Sequence, residues 1–410
     1  MFSFKSKLDP SLKHALLNHL YDNYRVIIHY KSLENKTINK IKSLKCDIIR
    51  HITSINCICA ILTPSVIDRM IEYPQVTYIT FDSYAHLCGS SILASNGISF
   101  QSNYDLTGNG IGIGIIDSGV YPHCDLLNPN NKIKKFIDVV NNLNYPYDDN
   151  GHGTFMSGLI CGSGYGSKGM YKGVAKNSHL YSIKAFNKLG KGFISDILFS
   201  LETLINESND FNIKIICLPF ETLETNEFVL SLFSKLFDLA VLKGLVVIVP
   251  SGSNKSVKSS IRGIATLDNC ITVGGYSSIG SPIIYEYSSC GPFHKLDKPN
   301  LIAACVDICS LISDTEFISE KNSIKLYPCG ITNLYTTYTG TSCSAAFVCG
   351  ICALLYENNK DLSFKDTLAL LKVSSNLINF PKYMQGAGII DLEKLLRSEE
   401  HTSELQSPCG

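Results

Sequence analysis

The chain has 410 residues, 45% of them apolar, and its 36 basic and 36 acidic side chains balance to a formal charge of zero. That balance gives no electrostatic basis for gripping a nucleic acid or an anionic membrane surface. No run of about eighteen apolar residues exists to cross a bilayer as a helix, and the apolar fraction is enough for a full core.

Met1 to Asn23 reads as helical and amphipathic, with Leu12, Leu16, Leu17 and Leu20 on one side. Lys, Asp and His interrupt it, so it lacks the continuous apolar core of a secretory signal. A strand is expected at Tyr24–Tyr30, then a helix at Glu34–Lys45 with Ile38, Ile41 and Leu44 at helical spacing. Strands follow at Asp47–Ile52 and Asn56–Leu62. Thr63-Pro64 reads as a helix cap and first-turn proline, leading Val66, Ile67, Met70 and Ile71 onto one face. Gln75–Phe81 closes as a strand. The pattern β-α-β-β-α-β predicts a small α+β ferredoxin-like domain over residues 24–86. His29, His51 and His86 are isolated in it and carry no chemistry by themselves. Residues 87–104, overlapping a stretch of small and polar residues from Gly89 to Asn109, read as a linker.

From Gly110 short apolar strands alternate with longer helices. Strands are predicted at Ile111–Ile116, His179–Lys184, Ile213–Leu218, Leu245–Val249 and Ile271–Val273, with helices at Ile194–Ile205 and Phe228–Lys243, the second stopped by Gly244. This alternation predicts an α/β domain, a parallel sheet with helices on both faces, over residues 105–396. Ligands in such sheets sit beyond the carboxyl ends of the strands. Two glycine-rich stretches invite a nucleotide and do not fit one. Gly108 to Gly114 lacks the dinucleotide spacing and precedes a strand instead of following one; Gly162 to Gly169 lacks the phosphate-loop spacing.

The sixteen cysteines are scattered. Cys217, Cys270, Cys349 and Cys352 lie inside apolar runs, where a thiol behaves as a small core group. No two pairs stand at zinc-site spacing, and reduced thiols in a cytoplasmic protein are the expectation. Arg397 to Pro408 is polar and patternless and resembles the translated read-through of a sequencing adapter.

Three short motifs carry the chemistry. In Thr339-Gly340-Thr341-Ser342-Cys343-Ser344-Ala345-Ala346 small residues give way to an apolar helical run, so Ser342 sits where a loop becomes a helix. A hydroxyl there is either an N-cap or a nucleophile backed by the helix N–H groups. A nucleophile needs a base, and the base needs a group to orient it. Asp117 ends the strand Ile115-Ile116-Asp117, and His152 stands between glycines in Asp149-Asn150-Gly151-His152-Gly153-Thr154 at a helix start. Singly, each is an ordinary turn residue.

Taken in order as Asp, His, Ser, they follow one of the known triad orders, and the chain resembles the subtilases, the subtilisin-like serine proteases. Asp117-Ser118-Gly119 with His123 and Asp125 beyond, His152-Gly153-Thr154 and Gly340-Thr341-Ser342 carry the likeness. Gly173-Val174-Ala175, Lys298-Pro299-Asn300 and Gly386-Ala387-Gly388 extend it in order over residues 105–396. The resemblance implies that Ser342 attacks the scissile carbonyl, His152 shuttles the proton and Asp117 holds the imidazole. It also implies that Ser342 N–H is one oxyanion donor and that the first domain is an inhibitory propeptide, self-cleaved between His86 and Leu106.

This sequence departs from the family pattern in places. Where the family has glycine then asparagine after the central strand, the chain reads Pro250-Ser251-Gly252-Ser253-Asn254, so the second oxyanion donor is either Asn254 with a one-residue shift or Ser253. Loss of that donor costs roughly a hundred- to a thousand-fold in turnover, a figure measured in subtilisin itself. The substrate-lining segment appears as Cys217-Leu218-Pro219, and Pro219 lacks an N–H to offer a substrate. Ala346 replaces a first-turn proline. No cofactor is expected; calcium is common in the family and Asp125 resembles one ligand, but one carboxylate does not supply a shell of about six to eight oxygens, and no metal site is assigned. The expected partners are protein or peptide substrates and the chain's own N-terminal domain as an intramolecular inhibitor. The alternative is a subtilase-fold pseudoprotease that binds peptides.

Overall fold

In the computed structural model the described residues are 7–31, 47–87 (backbone alone for 84–87), 106–223, 226–278, 281–294 and 296–396. They divide into two compact units: residues 1–84 with 193–203, and residues 85–192 with 204 onward.

The first unit is a four-stranded antiparallel sheet in the order Asp47–Ile52, Cys57–Leu62, Tyr24–Tyr30, Val76–Phe81. Its boundaries fall close to those read from the alternation of apolar residues. Val26, Ile28, Ile58, Ala60 and Ile79 form its core with Ile67 and Met70 of the helix Pro64–Glu72 and with Leu12 and Ala15. The predicted helix at Glu34–Lys45 lies outside the described residues. One expectation needs correcting. The first helix is Pro10–Leu17 among the described residues: Asp9 caps it by accepting from Ser11 and Leu12 N–H, and the chain turns at Asn18 and His19. Thr63 occupies the cap of the helix Pro64–Glu72 and Pro64 its first position, as expected, though the Thr63 side chain makes no capping bond.

Residues 193–203, most of the helix Ile194–Asn206, belong with this unit through charge. Asp82 accepts from Ser195 N–H at 2.7 Å and from Arg25 Nε at 2.6 Å, and Arg25 Nη2 reaches Asp196 at 2.9 Å. Glu202 accepts from Ser54 N–H at 2.6 Å.

The second unit is built on a ten-stranded, mostly parallel sheet. Its central run is Leu301–Ala304, Ile271–Ser277, Val246–Pro250, Ile213–Cys217, Gly112–Asp117, His179–Lys184, Ile133–Asp138. The strand Ile133–Asp138 was not foreseen; Lys134 and Lys135 dilute its apolar signal at a sheet edge. Along Gly112–Asp117, Ile113 and Ile115 pack with Ile215, Cys217, Val246 and Ile248 against the helix Thr341–Asn358. A Cβ at Gly114 would collide with Leu204 on the opposite face. That helix is apolar on every side, as a helix buried all round must be.

The order of the strands sets the position of the site. After His179–Lys184 the chain crosses over and continues on the other side of Gly112–Asp117 with Ile213–Cys217. Such a switch point leaves a crevice beyond the carboxyl ends of the two strands. Asp117 and Cys217 are the last residues of those strands.

Candidate active site

Asp117 ends its strand fully buried, and the next strand over holds its carbonyl oxygen through the N–H groups of Ala185 and Phe186. Its carboxylate faces His152, whose Nδ1 lies 2.9 Å from both Oδ1 and Oδ2. Ser118 N–H donates to Oδ1 at 2.6 Å. His152 is the first residue of the helix His152–Cys161. Gly153 lets that helix close on the Asp117 turn, because a Cβ there would collide with the carbonyl of Gly119 and crowd Asp117.

A second acid, Asp148, organises the approach. Its Oδ1 accepts from Ser118 Oγ, Asn150 N–H and Gly151 N–H, and its Oδ2 accepts from Thr154 N–H and Oγ1 at 2.8 and 2.6 Å. Gly151 has a left-handed φ of 98° and no side chain to cap the helix, so Asp148 supplies the anion that its first N–H groups require. Ser118 Oγ in turn accepts from Gly153 N–H at 2.9 Å. Lys184, at the end of the neighbouring strand and paired in register with Asp117, is buried and donates to Ser118 O, Phe186 O and Asp149 Oδ1 at 2.6, 2.9 and 2.5 Å. Neither Asp148 nor Lys184 was picked out from the sequence. A charged residue closing an otherwise buried strand, and an acid three positions ahead of Gly151, were the available signals.

The other edge of His152 meets Tyr338, whose ring stands edge-on at 5.6 Å. His152 Nε2 is buried and has no hydrogen-bond partner among the described residues. Ser342 is fully buried and is the second residue of its helix; Gly340 occupies the cap. The cap of this helix is therefore Gly340 and not Ser342. Sequence spacing alone had left both roles open.

The loop after Val246–Pro250 is fastened by a residue the sequence did not flag. Glu221 accepts from Ser253 N–H at 2.8 Å, Ser253 Oγ at 2.7 Å and Asn254 Nδ2 at 3.3 Å. Both candidate oxyanion side chains thus turn one donor toward the same carboxylate, and the amide of Asn254 keeps a second N–H. Gly252 O accepts from Thr341 Oγ1 at 3.3 Å, which ties the same loop to the residue before Ser342. Cys217 and Leu218 are buried at the crevice floor, and beyond Pro219 the strand Phe220–Glu221 pairs antiparallel with Leu87 and His86.

His123, Cys124 and Asp125 bring one potential metal ligand each within 4.8 Å of one another. Their atoms are already used. His123 Nδ1 accepts from Asp125 N–H and Nε2 donates to Leu334 O; Asp125 accepts from Gly166 N–H and Tyr335 OH. Burial and the Asp125 charge push the Cys124 thiol up to about 11, so it stays protonated at neutral pH. In this arrangement the donor atoms serve a hydrogen-bond network. The thirteen described cysteines are all free thiols, and no described helix is long and apolar enough to cross a membrane.

The sequence model of the peptidase S8 subtilase family matches residues 108–388. Serine protease AprX of Bacillus subtilis (strain 168) is 29% identical over 354 residues, covering 83% of this chain and 77% of that protein. Subtilisin-like protease 1 of Plasmodium falciparum is 29% identical over 258 residues, 63% of this chain and 36% of its own length. The alkaline protease of Alkalihalobacillus alcalophilus is 24% identical over 363 residues, 87% of this chain and 83% of that protein. Among solved structures, fervidolysin from Fervidobacterium pennivorans, a keratinolytic enzyme related to subtilisin, superposes with a TM-score of 0.68 at 16% identity, over 92% of this chain and 61% of that one. That likeness speaks for the fold alone. Since the family match runs from just before the Asp117 strand to well past the Ser342 helix, this chain belongs to the subtilase family of serine proteases.

Proposed function

We infer that the chain is a serine endopeptidase that cuts peptide bonds through Asp117, His152 and Ser342 by way of an acyl-enzyme, and that it is made as a self-inhibited precursor. The observation that carries this is the Asp117–His152 pair. A proton on Nδ1, held by a buried carboxylate at 2.9 Å, leaves Nε2 as the basic atom of the ring. Ser342 Oγ attacks the substrate carbonyl carbon and its proton passes to Nε2. The oxyanion meets Ser342 N–H at the helix start. Collapse expels the amine, which takes the proton from Nε2; water then cleaves the ester with the same base. Asp117 keeps the ring in the productive tautomer and stabilises its charged form.

Self-inhibition is supported by the strand running into Ala85–Leu87. It lies antiparallel beside Phe220–Glu221, directly after the Cys217-Leu218-Pro219 segment. A strand added there uses the main-chain groups that an extended substrate needs. Of the expected processing linker, residues 87–104, all but Leu87 lie outside the described residues.

A fluorophosphonate probe tests the reading. It should label the N-terminally cleaved protein and not Ser342→Ala. A folded, cleaved sample that takes no label favours the peptide-binding alternative, which the engagement of Ser253 and Asn254 by Glu221 and the proline at 219 motivate. N-terminal sequencing should find self-processing after His86 in the wild type and none in Ser342→Ala.

A further inference from the structure

The antiparallel strands Ile308–Leu311 and Tyr335–Tyr338 are joined by a long excursion, residues 312–334, that the proposed chemistry does not use. It is seated on the loops that carry the catalytic histidine. Ser313 Oγ donates to Asp148 O at 2.6 Å, and a side chain at Gly151 would touch Ser313 and Thr315. Glu316 pairs with Lys188 at 2.8 Å, Phe317 stands edge-on to Tyr121, and Glu320 accepts from Asn144 N–H at 2.7 Å. Held in this way, the excursion exposes Ile318, Ile324, Leu326 and Tyr327, with Ile324 68% and Tyr327 77% accessible. Single exposed apolar residues are ordinary, but four within ten positions on one short hairpin mark a contact surface.

The direction of proton transfer says which contact. In the reaction inferred above, His152 Nε2 returns its proton to the leaving amine, so the C-terminal half of the substrate begins within hydrogen-bond reach of that ring. Each further residue carries an extended chain about 3.3 Å onward. The excursion is fastened to the loop immediately before His152, and Tyr338, where the chain returns from it, touches the ring itself.

We propose that residues 318–327 bind the leaving half of an unfolded polypeptide and select apolar or aromatic side chains in the first few positions after the scissile bond. The occupant is substrate, because the excursion leaves from Ser313, bonded to Asp148 on the loop before His152, and returns at Tyr338 against the ring that the leaving group must touch. Lys325 lies 5.1 Å from the rings of both Tyr145 and Tyr327 and has Glu320 as its cross-strand partner, so the two charges offset and the apolar side chains set the preference. The inference rests on the peptidase reading and deepens it.

Two substrates separate the ideas. A peptidyl p-nitroanilide has no residue beyond the scissile bond; internally quenched peptides carry Leu, Phe or Ser at the three positions after it. The cleaved wild type should favour Leu or Phe over Ser by about tenfold in kcat/KM. The variant Ile324→Ser/Leu326→Ser/Tyr327→Ser should reduce that preference to about twofold while hydrolysing the anilide as the wild type does. Anilide hydrolysis doubles as the check that the variant folds, and Tyr327→Ser alone replaces the triple variant if it does not. No apolar preference in the wild type, or a preference unchanged in the variants, overturns the inference and leaves the peptidase reading intact. A cleaved wild type that hydrolyses neither substrate removes the peptidase reading and this inference together.

Discussion

Lys184→Met is the most informative single change in the walls of the crevice. The lysine side chain is fully buried and its ammonium serves three acceptors: the carbonyl of Ser118 next to Asp117, the carbonyl of Phe186, and Asp149 three residues before His152. Methionine fills a similar volume and removes the charge. Breaking a buried ion pair on one side costs about 3–5 kcal/mol, because the partner is left uncompensated. Asp149 keeps 22% of its side chain in solvent and can be rehydrated, so the lower end applies, about 3 kcal/mol. For a unit of about 300 residues, at an unfolding entropy of about 2.1 cal/mol/K per residue, that corresponds to roughly 4–5 °C in Tm. Loss of the hold on Ser118 O also lets the Asp117 turn drift, so kcat per titrated active site should fall about tenfold, equivalent to ~1.4 kcal/mol of misalignment. Thermal unfolding of the Ser342→Ala background, which prevents self-digestion, reads the first quantity; fluorophosphonate titration followed by anilide hydrolysis reads the second. A Tm within about 1 °C of the parent together with an unchanged kcat per site would show that Lys184 holds nothing that matters.

Other changes give sharp outcomes too. Asp117→Asn keeps the shape but favours the wrong ring tautomer, and kcat should drop by about ten-thousandfold with little change in KM; a fall of less than about tenfold would contradict the assigned role. Gly153→Ala forces a methyl into the Gly119 carbonyl and should cost about 1–3 kcal/mol as well as most activity, seen together as lower Tm and weaker probe labelling. His123 offers a pH test. Burial lowers its pKa below the ordinary histidine value, with the Asp125 charge opposing, so the folded state favours the neutral ring that accepts from Asp125 N–H. Its contribution to stability is therefore complete above the unfolded value of about 6.5 and is lost as pH falls below it. His123→Asn, which keeps an acceptor at that helix cap, should show a smaller loss of Tm between about pH 7.5 and 5 than the wild type; equal losses would place the acid sensitivity elsewhere.

The sequence by itself was enough for the strands and helices that carry the site. Period-two and period-3.6 patterning put Asp117 at the end of a strand and His152 and Ser342 at helix starts, because those patterns are local and the flanking glycines punctuate them. The charge network was beyond it. Lys184 and Glu221 act on residues 30 or more positions away, as Asp148 does on Ser118, and nothing local distinguishes a carboxylate that fastens a distant loop from one bathed in solvent. Asn254 shows the limit most clearly: its residue type and position suggested an oxyanion donor, and nothing in the sequence showed that folding brings Glu221 within 3.3 Å of its amide. Residue type and spacing are written along the chain, so the chemistry on offer could be read there. Which groups end up within hydrogen-bond distance depends on how the sheet reverses its strand order and what then closes over the crevice, and only the tertiary structure decides that.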